Sequence, residues 1–150
     1  MTRRVMEFIT RLNLKGKILD VGSRDINGCV RPLYEDYIGV DMVYGRNVDI
    51  IAKSDNLPFM PNHFDNVVCL EMLEHDDSFW ISIPEMIRVL KPGGKLVVTA
   101  RGIHFHKHNY PYDYWRFTRE SFELLFRGLN DVYVTEETGD NGVYGYGTKK

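Results

Sequence analysis

The chain has 150 residues, of which 43% are apolar and 27% charged, and its formal net charge at pH 7 is −2. This balance is typical of a globular protein and predicts one domain, residues 1–150, with a single buried core. It leaves no overall basic field of the kind that holds nucleic acid.

The sequence also indicates the cellular compartment of the protein. No apolar run approaches the roughly 20 residues that span a bilayer, and no secretory signal opens the chain, so we expect no membrane association. Cys29 and Cys69 form neither a disulfide framework nor a metal-ligand pair. These features favour the cytoplasm, a reducing compartment.

The predicted elements begin with an amphipathic helix over residues 3–13, where apolar residues recur at helical spacing. Continuous hydrophobicity then predicts strands that are covered on both faces, as in a parallel sheet. Only a few residues separate the second strand from the third, fewer than a parallel crossover needs. The third strand is therefore expected to be short, displaced or reached by a bare loop. The five predicted strands are residues 17–21, 37–40, 48–51, 64–70 and 95–100.

Two more helices and a hairpin complete the prediction. Ser82 and Glu85 have capping-box spacing, which predicts a helix start, and residues 91–94 are expected to end that helix. Another helix is predicted over 118–126. Asn141-Gly142 between two apolar runs predicts a hairpin. The fold class is therefore α/β: a Rossmann-like, open, mostly parallel sheet with a C-terminal antiparallel hairpin.

A glycine turn after the first strand marks the first candidate site. Asp20 and Gly22 end that strand, Ser23 follows, and Asp41 ends the next strand. At the carboxyl edge of such a sheet, the glycine lets backbone approach a ligand and the acid can accept both ribose hydroxyls of a nucleoside. Dinucleotide and S-adenosylmethionine sites share this pattern. Its plain structural interpretation is a tight turn beside an exposed acid.

The glycine spacing separates the two ligands. A diphosphate cradle favours G-x-G-x-x-G, but Arg24 stands at the second glycine position. S-adenosylmethionine has no phosphate to cradle, so it is favoured over NAD. A Rossmann-type NAD-dependent oxidoreductase is the less favoured alternative.

Three further motifs follow in order: Leu57-Pro58-Phe59, the run FDNVVCLEMLEH at 64–75, and RVLKPGGKL at 88–96. Together with the turn and the acid, they resemble the class I S-adenosylmethionine-dependent methyltransferases, specifically the type 11 methyltransferase family. The resemblance covers about residues 17–100. It implies a compact class I methyltransferase fold, S-adenosyl-L-methionine as cofactor, and methyl transfer to an O, N or C atom of a small-molecule acceptor.

The resemblance also assigns cofactor-binding residues. It implies that the glycine turn holds the methionine end, that Asp41 holds the ribose, and that carbonyls after the fourth strand line the sulfonium. The family's adenine-binding acid is replaced by Lys53, so Ser54, Asp55 or backbone groups take that role. The expected cofactor-binding residues are Asp20, Gly22, Ser23, Asp41, Met42, Ser54, Asp55, Leu57, Leu70, Glu71 and Met72.

Residues 101–118, rich in aromatic and histidine side chains, follow the fifth strand. This segment leaves the edge where ligands bind in open α/β sheets, and it is long for a connection without regular structure. One interpretation makes it the acceptor wall. The other makes Trp115 and Phe117 anchors that hold a loop on the core. The expected substrate-binding residues are His108, Tyr110, Tyr114, Trp115 and Arg116.

No catalytic group follows from the cofactor motifs, because in-line methyl transfer needs alignment and at most a proton acceptor. Candidate bases are His104, His106, His108 and His75, although hydrogen bonding that fixes its loop is the plainer role for His75. The alternating histidines lack the other spacings of a metal site, so no metal is expected. A non-catalytic S-adenosylmethionine-binding module is the alternative class. Nucleic-acid or protein acceptors and the oligomeric state stay open.

Overall fold

A computed structural model describes residues 1–109 and 112–150. In chain order its helices and strands are α1 (Arg3–Leu12), β1 (Ile18–Val21), β2 (Tyr37–Asp41), β3 (Ile50–Ile51), β4 (Phe64–Leu70), α2 (Phe79–Val89), β5 (Leu90–Arg101), α3 (Arg119–Leu125), β6 (Asn130–Glu137) and β7 (Gly142–Thr148). Short 3₁₀ helices lie at Arg31–Leu33 and Leu73–His75.

One seven-stranded sheet of order β3-β2-β1-β4-β5-β7-β6 organises the protein. The first five strands are parallel, whereas β7 runs antiparallel to both β5 and β6. The predicted fold class is therefore confirmed, including the C-terminal hairpin. Because β1, β2, β4 and β5 are parallel, their carboxyl ends meet at one edge of the sheet.

The sheet is buried on both faces, as continuous hydrophobicity predicts. Along β4, Val67 and Cys69 belong to a core shared with α2 and α3, whereas Val68 belongs to a second core under α1. Neighbouring residues of a strand point to opposite faces, so an apolar residue at each position serves both layers. Burial raises the pKa of the Cys69 thiol well above its usual value.

The third strand is short, as the crossover length predicts. It has two residues, pairs with the end of β2 through Val40–Ile50 and Asp41–Ile51, and is reached by the irregular segment 42–49. At its exposed edge Ile51 is 61% exposed.

The predicted start of α2 is wrong. The helix begins at Phe79, and Ser82 lies inside it, fully buried, with its hydroxyl donating to Asp76 Oδ2 at 2.6 Å. Glu85, the expected capping partner, accepts a hydrogen bond from the Leu57 amide at 2.9 Å instead. Both side chains serve distant segments, which local spacing does not reveal. The predicted capping chemistry belongs instead to α3, where Thr118 and Ser121 form a capping box.

No helix among the described residues is both long and apolar enough to cross a bilayer.

Two glycines with positive φ allow a test of the turn after β1. A Cβ on Gly22 would lie 2.5 Å from Met72 Cγ, whereas a Cβ on Gly93, whose φ is similar, would meet nothing within 4 Å. We expect Gly93→Ala to lose about 1–2 kcal/mol of unfolding free energy from backbone strain alone. Gly22→Ala should lose at least about 1 kcal/mol more, because Met72 must move. Urea unfolding followed by circular dichroism measures both, and equal losses would contradict the close approach.

Candidate active site

The glycine turn after β1 and the acid after β2 lie side by side at the carboxyl edge of the sheet. The amides of Gly22 and Ser23 both donate to the Val40 carbonyl, at 2.8 and 3.0 Å. The next amide, from Arg24, donates to Asp41 Oδ2 at 3.2 Å. The turn is therefore folded onto the end of β2, and the structure brings together the residues that the sequence pairs.

Asp41 keeps hydrogen-bonding capacity for a ligand. Among the described residues, its Oδ1 accepts a hydrogen bond from the Val43 amide at 3.0 Å, and its Oδ2 accepts the one from the Arg24 amide. Each carboxylate oxygen has two lone pairs, so each can accept another donor. Next to it Met42 is 64% exposed and Tyr44 is 78% exposed. An acid with free acceptor capacity thus stands beside exposed apolar surface.

Asn47 holds the loop between β2 and β3 against this turn. Its Nδ2 donates to the Ser23 carbonyl at 2.8 Å, and its own carbonyl accepts from the Ser23 hydroxyl at 3.2 Å. A Cβ on Gly39 would lie 2.2 Å from the Asn47 carbonyl oxygen, so this approach requires glycine in β2. Asn47 has a positive φ of 74°. Sequence reasoning missed it, because its only local signal is that asparagine tolerates this conformation.

Asp20 lies beneath the turn. It is 5% exposed and accepts a hydrogen bond from the Tyr37 hydroxyl at 2.5 Å, and that hydroxyl accepts from Asn47 Nδ2 at 2.8 Å. Burial raises the pKa of Asp20 to about 7, although the Tyr37 hydrogen bond opposes the rise. The structure thus places Asp20 as a buried support of the turn.

The adenine-side candidates are tied to the segment before α2. Ser54 donates to Asp76 Oδ2 at 3.1 Å, and Ser78 donates to Asp55 Oδ2 at 3.3 Å. Sequence reasoning missed Asp76, whose buried carboxylate joins the segment that contains Ser54 to the segment before α2. Leu57 is 3% exposed and packs in the core. These hydrogen bonds hold Ser54 and Asp55 against the segment before α2, whereas the Leu57 side chain lies away from solvent.

A buried charge cluster follows β4. Glu71, with a φ of 57°, places its Oε2 2.6 Å from Arg101 Nη2, and both side chains are about one-tenth exposed or less. Glu74 is fully buried, with Oε1 3.9 Å from Arg101 Nε. Burial raises the pKa of both carboxyls, and the charge of Glu71 raises that of Glu74 further. Leu70 and Met72 flank Glu71, and the Met72 side chain reaches Gly22.

Trp115 anchors the segment after β5. Its indole Nε1 donates to the Asp76 carbonyl at 2.9 Å, and its ring packs edge-on against Phe79 with centroids 5.6 Å apart. The Tyr114 amide donates to the Glu74 carbonyl at 2.8 Å, while the Tyr114 side chain stays 46% exposed. Phe117 is buried in the core. The geometry supports the anchoring interpretation for Trp115 and Phe117 and leaves the Tyr114 ring free to contact a ligand.

Arg116 also stabilises this segment. Its guanidinium pairs with both oxygens of Asp113 at 2.6 Å, and it donates to the carbonyls of Phe105 and His106 at 3.1 and 2.9 Å. The Arg116 guanidinium holds the pKa of Asp113 well below its usual range. With its donors so engaged, Arg116 fixes the loop.

The four candidate histidines fall into two groups. His104 and His106 are exposed. His108 and His75 are partly buried, with ring centroids 4.9 Å apart, and burial lowers the pKa of His108. His75 Nδ1 is 2.5 Å from the Tyr112 carbonyl, which is the loop-fixing role expected of it. Tyr110 lies outside the described residues.

The raised pKa of Asp20 predicts a pH-dependent stability. Below about pH 4 both the folded and the unfolded chain hold the proton, whereas between about pH 4 and 7 only the folded chain does. Relative to Asp20→Asn, the wild-type protein should therefore lose a few kcal/mol of unfolding free energy between pH 4 and 8, at about 1.4 kcal/mol per pKa unit. Urea unfolding of both proteins across this range measures the difference. Parallel pH profiles would contradict it.

Comparisons with known proteins match this edge of the sheet. A family profile described as "Methyltransferase domain" matches residues 28–98. The ubiquinone/menaquinone biosynthesis C-methyltransferase UbiE of Pseudomonas savastanoi is 36% identical over 87 residues, 57% of this chain and 34% of that protein. UbiE of Pseudomonas aeruginosa is 37% identical over 89 residues, 57% of this chain and 33% of its own length. The chain spans about a third of the length of these curated relatives.

Solved structures share the fold. An S-adenosylmethionine-dependent methyltransferase from Thermotoga maritima superposes with a TM-score of 0.76 at 18% identity, covering 97% of this chain and 87% of that one. Phosphoethanolamine N-methyltransferase 2 of Haemonchus contortus, in complex with S-adenosyl-L-methionine, gives 0.75 at 16% identity, covering 97% and 52%. At such identities these structures establish the fold alone. The profile and the UbiE relatives show that residues 28–98, which include Asp41 and the end of β4, are similar in sequence to methyltransferase domains.

Proposed function

We propose that the protein is an S-adenosylmethionine-dependent methyltransferase that moves a methyl group to an O, N or C atom of a small-molecule acceptor. The observation that carries this proposal is the pairing of the Gly22 turn with Asp41, whose two carboxylate oxygens each accept one backbone amide among the described residues. The names of the curated relatives, C-methyltransferases of ubiquinone and menaquinone biosynthesis, support a small acceptor.

The residues at this edge fit the cofactor. Asp41 would accept the ribose hydroxyls, and the backbone of the turn from Gly22 to Ser23, which packs against Met72, would lie beside the methionine end. Carbonyl groups of Leu70 to Met72 would face the sulfonium, which dipoles stabilise. Met42 offers an exposed apolar surface for the adenine, and Ser54 or Asp55 its hydrogen-bonding edge. When bound, S-adenosylmethionine supplies a methyl carbon that a positively charged sulfur activates.

The chain itself would contribute orientation and, for an O or N acceptor, a proton acceptor. Most of the rate of such an in-line displacement comes from holding the two reactants aligned. After β5, residues 112–116 are anchored by hydrogen bonds and present the exposed rings of Tyr112 and Tyr114, which suits an acceptor wall. His104 and His106 are exposed between β5 and these residues, and a histidine has the right ordinary pKa to take a proton near neutrality.

The cofactor assignment is tested at the end of β2. Asp41→Asn should weaken binding of S-adenosylhomocysteine by about 1.5–3 kcal/mol, because a charge-assisted acceptor of the ribose is lost. Asp36→Asn is the matched control, since it makes the same change at an exposed position before the other end of the strand. Isothermal titration calorimetry of the three proteins measures the difference. Equal affinities would overturn the role of Asp41, and tight NAD binding by the wild-type protein would overturn the cofactor.

The acceptor assignment is tested on an exposed ring. Tyr114→Ala should raise the KM for the acceptor several-fold at unchanged cofactor affinity, because the Tyr114 backbone is anchored while its side chain is 46% exposed. Tyr133→Ala on β6 is the control: Tyr133 is 47% exposed and stacks on another tyrosine, as Tyr114 does. Production of S-adenosylhomocysteine with phenol, quinol and amine acceptors is the measurement. Cofactor binding without turnover on any acceptor would favour the non-catalytic binding module.

A further inference from the structure

Two histidines and a buried glutamate converge where β4 and the segment after β5 meet. One ligand atom from each of Glu74, His75 and His108 lies within 4.8 Å of the other two. Glu74 and His75 are neighbours in the 3₁₀ helix after β4, and His108 comes from the segment after β5. Two imidazoles and one carboxylate form a ligand set that zinc and related divalent transition ions accept.

The Glu74 carboxylate makes no side-chain hydrogen bond to any described residue. The Glu74 side chain is fully buried. Burying a carboxylate in this way is costly unless a positive charge or a metal ion compensates it.

The nearest guanidinium does not supply that charge in full. Arg101 lies 3.9 Å from Glu74 but 2.6 Å from Glu71, and it stacks over Phe105 at 4.1 Å. Arg101 thus contacts Glu71 far more closely than Glu74, on which the charge of Arg116 also acts. A metal ion would give the Glu74 carboxylate the direct partner that neither guanidinium supplies.

Each histidine has an oxygen atom near its Nδ1. A carbonyl oxygen only accepts, so the 2.5 Å contact between His75 Nδ1 and the Tyr112 carbonyl puts the proton on Nδ1 and the lone pair on Nε2. His108 Nδ1 lies 3.4 Å from Asp113 Oδ2 without a hydrogen bond to any described residue, and the negative charge there favours a proton on Nδ1. Metal-binding histidines commonly have such carbonyl and carboxylate partners, which fix the ring and its tautomer.

We propose that Glu74, His75 and His108 bind one divalent transition-metal ion of the zinc type. This departs from the absence of a metal expected from the sequence, where only the alternation of His104, His106 and His108 was considered. Of these three, only His108 belongs to the cluster. Three protein ligands leave a coordination position open. If the proposed function holds, that position is available to an oxygen or nitrogen atom of the methyl acceptor, whose deprotonation the ion would favour.

The first test is a titration of Zn²⁺ into the full, tag-free chain after chelator treatment, without cofactor or acceptor. We expect about one ion to bind per chain. His108→Ala should lower the affinity at least ~10-fold, since even loss of an outer-shell partner costs about that much. His106→Ala is the matched control, because this exposed histidine lies two residues away on the same segment, outside the cluster, and should leave the affinity unchanged.

Glu74→Gln tests the carboxylate with little change of shape. We expect it to lower Zn²⁺ affinity at least ~10-fold as well. Because Glu74 is fully buried, circular dichroism must first show that this variant is folded. If it is not, His108→Ala carries the test, since the His108 side chain is 32% exposed. Co²⁺ in place of Zn²⁺ adds a spectroscopic readout: its visible absorption should change on binding to the wild-type protein and not on addition to His108→Ala.

Two outcomes would overturn the metal site: no saturable Zn²⁺ binding by the wild-type chain, or an equal loss of affinity in His106→Ala and His108→Ala. Neither outcome bears on cofactor binding, which the Asp41→Asn titration measures separately. Conversely, loss of the cofactor assignment would leave the metal titration interpretable.

Discussion

The buried pairing of Arg101 with Glu71 joins the carboxyl ends of β4 and β5, and the segment proposed as the acceptor wall starts from it. The two side chains meet at 2.6 Å where both are shielded from water, so the contact is far less screened than a surface ion pair. The Arg101 carbonyl accepts a hydrogen bond from the Phe117 amide at 2.9 Å, so the end of the segment after β5 lies against the end of β5 itself. One residue thus fixes two strand ends and the base of the loop above them.

The described residues of that loop are held by hydrogen bonds and one ion pair rather than by a helix or a strand. The Glu74 carbonyl accepts the Tyr114 amide, the Asp76 carbonyl accepts the Trp115 indole, and Asp113 and Arg116 form a paired, mostly buried bracket. A segment held at this many points loses little further conformational entropy when a ligand binds. The exposed tyrosine rings and histidines it carries are therefore presented from a fixed frame, which is what alignment of an acceptor requires.

Features with a local signal could be predicted from the sequence. The limits of β4, the presence of the C-terminal hairpin and the pairing of Gly22 with Asp41 all follow from residue type and short spacing, although the hairpin turn comprises residues 138–141 and Gly142 already begins β7. Features that depend on distant contacts could not be predicted. Ser82 resembles a helix cap until Asp76 is placed beside it, and the cluster of Glu74, His75 and His108 joins segments that no periodic pattern connects.

The same distinction explains why the cofactor side is easier to identify than the acceptor side. A nucleoside is held largely by backbone and by one acid at the ends of consecutive strands, so glycine and aspartate must occur at fixed spacing along the chain. The proposed acceptor side would consist of side chains from an irregular segment and a 3₁₀ helix, where ring position depends on anchors such as Trp115 and Arg116. Changing an exposed residue between those anchors should alter the proposed wall and leave the fold intact. The cofactor residues are thus set by the fold itself, whereas the proposed acceptor residues can change independently of it.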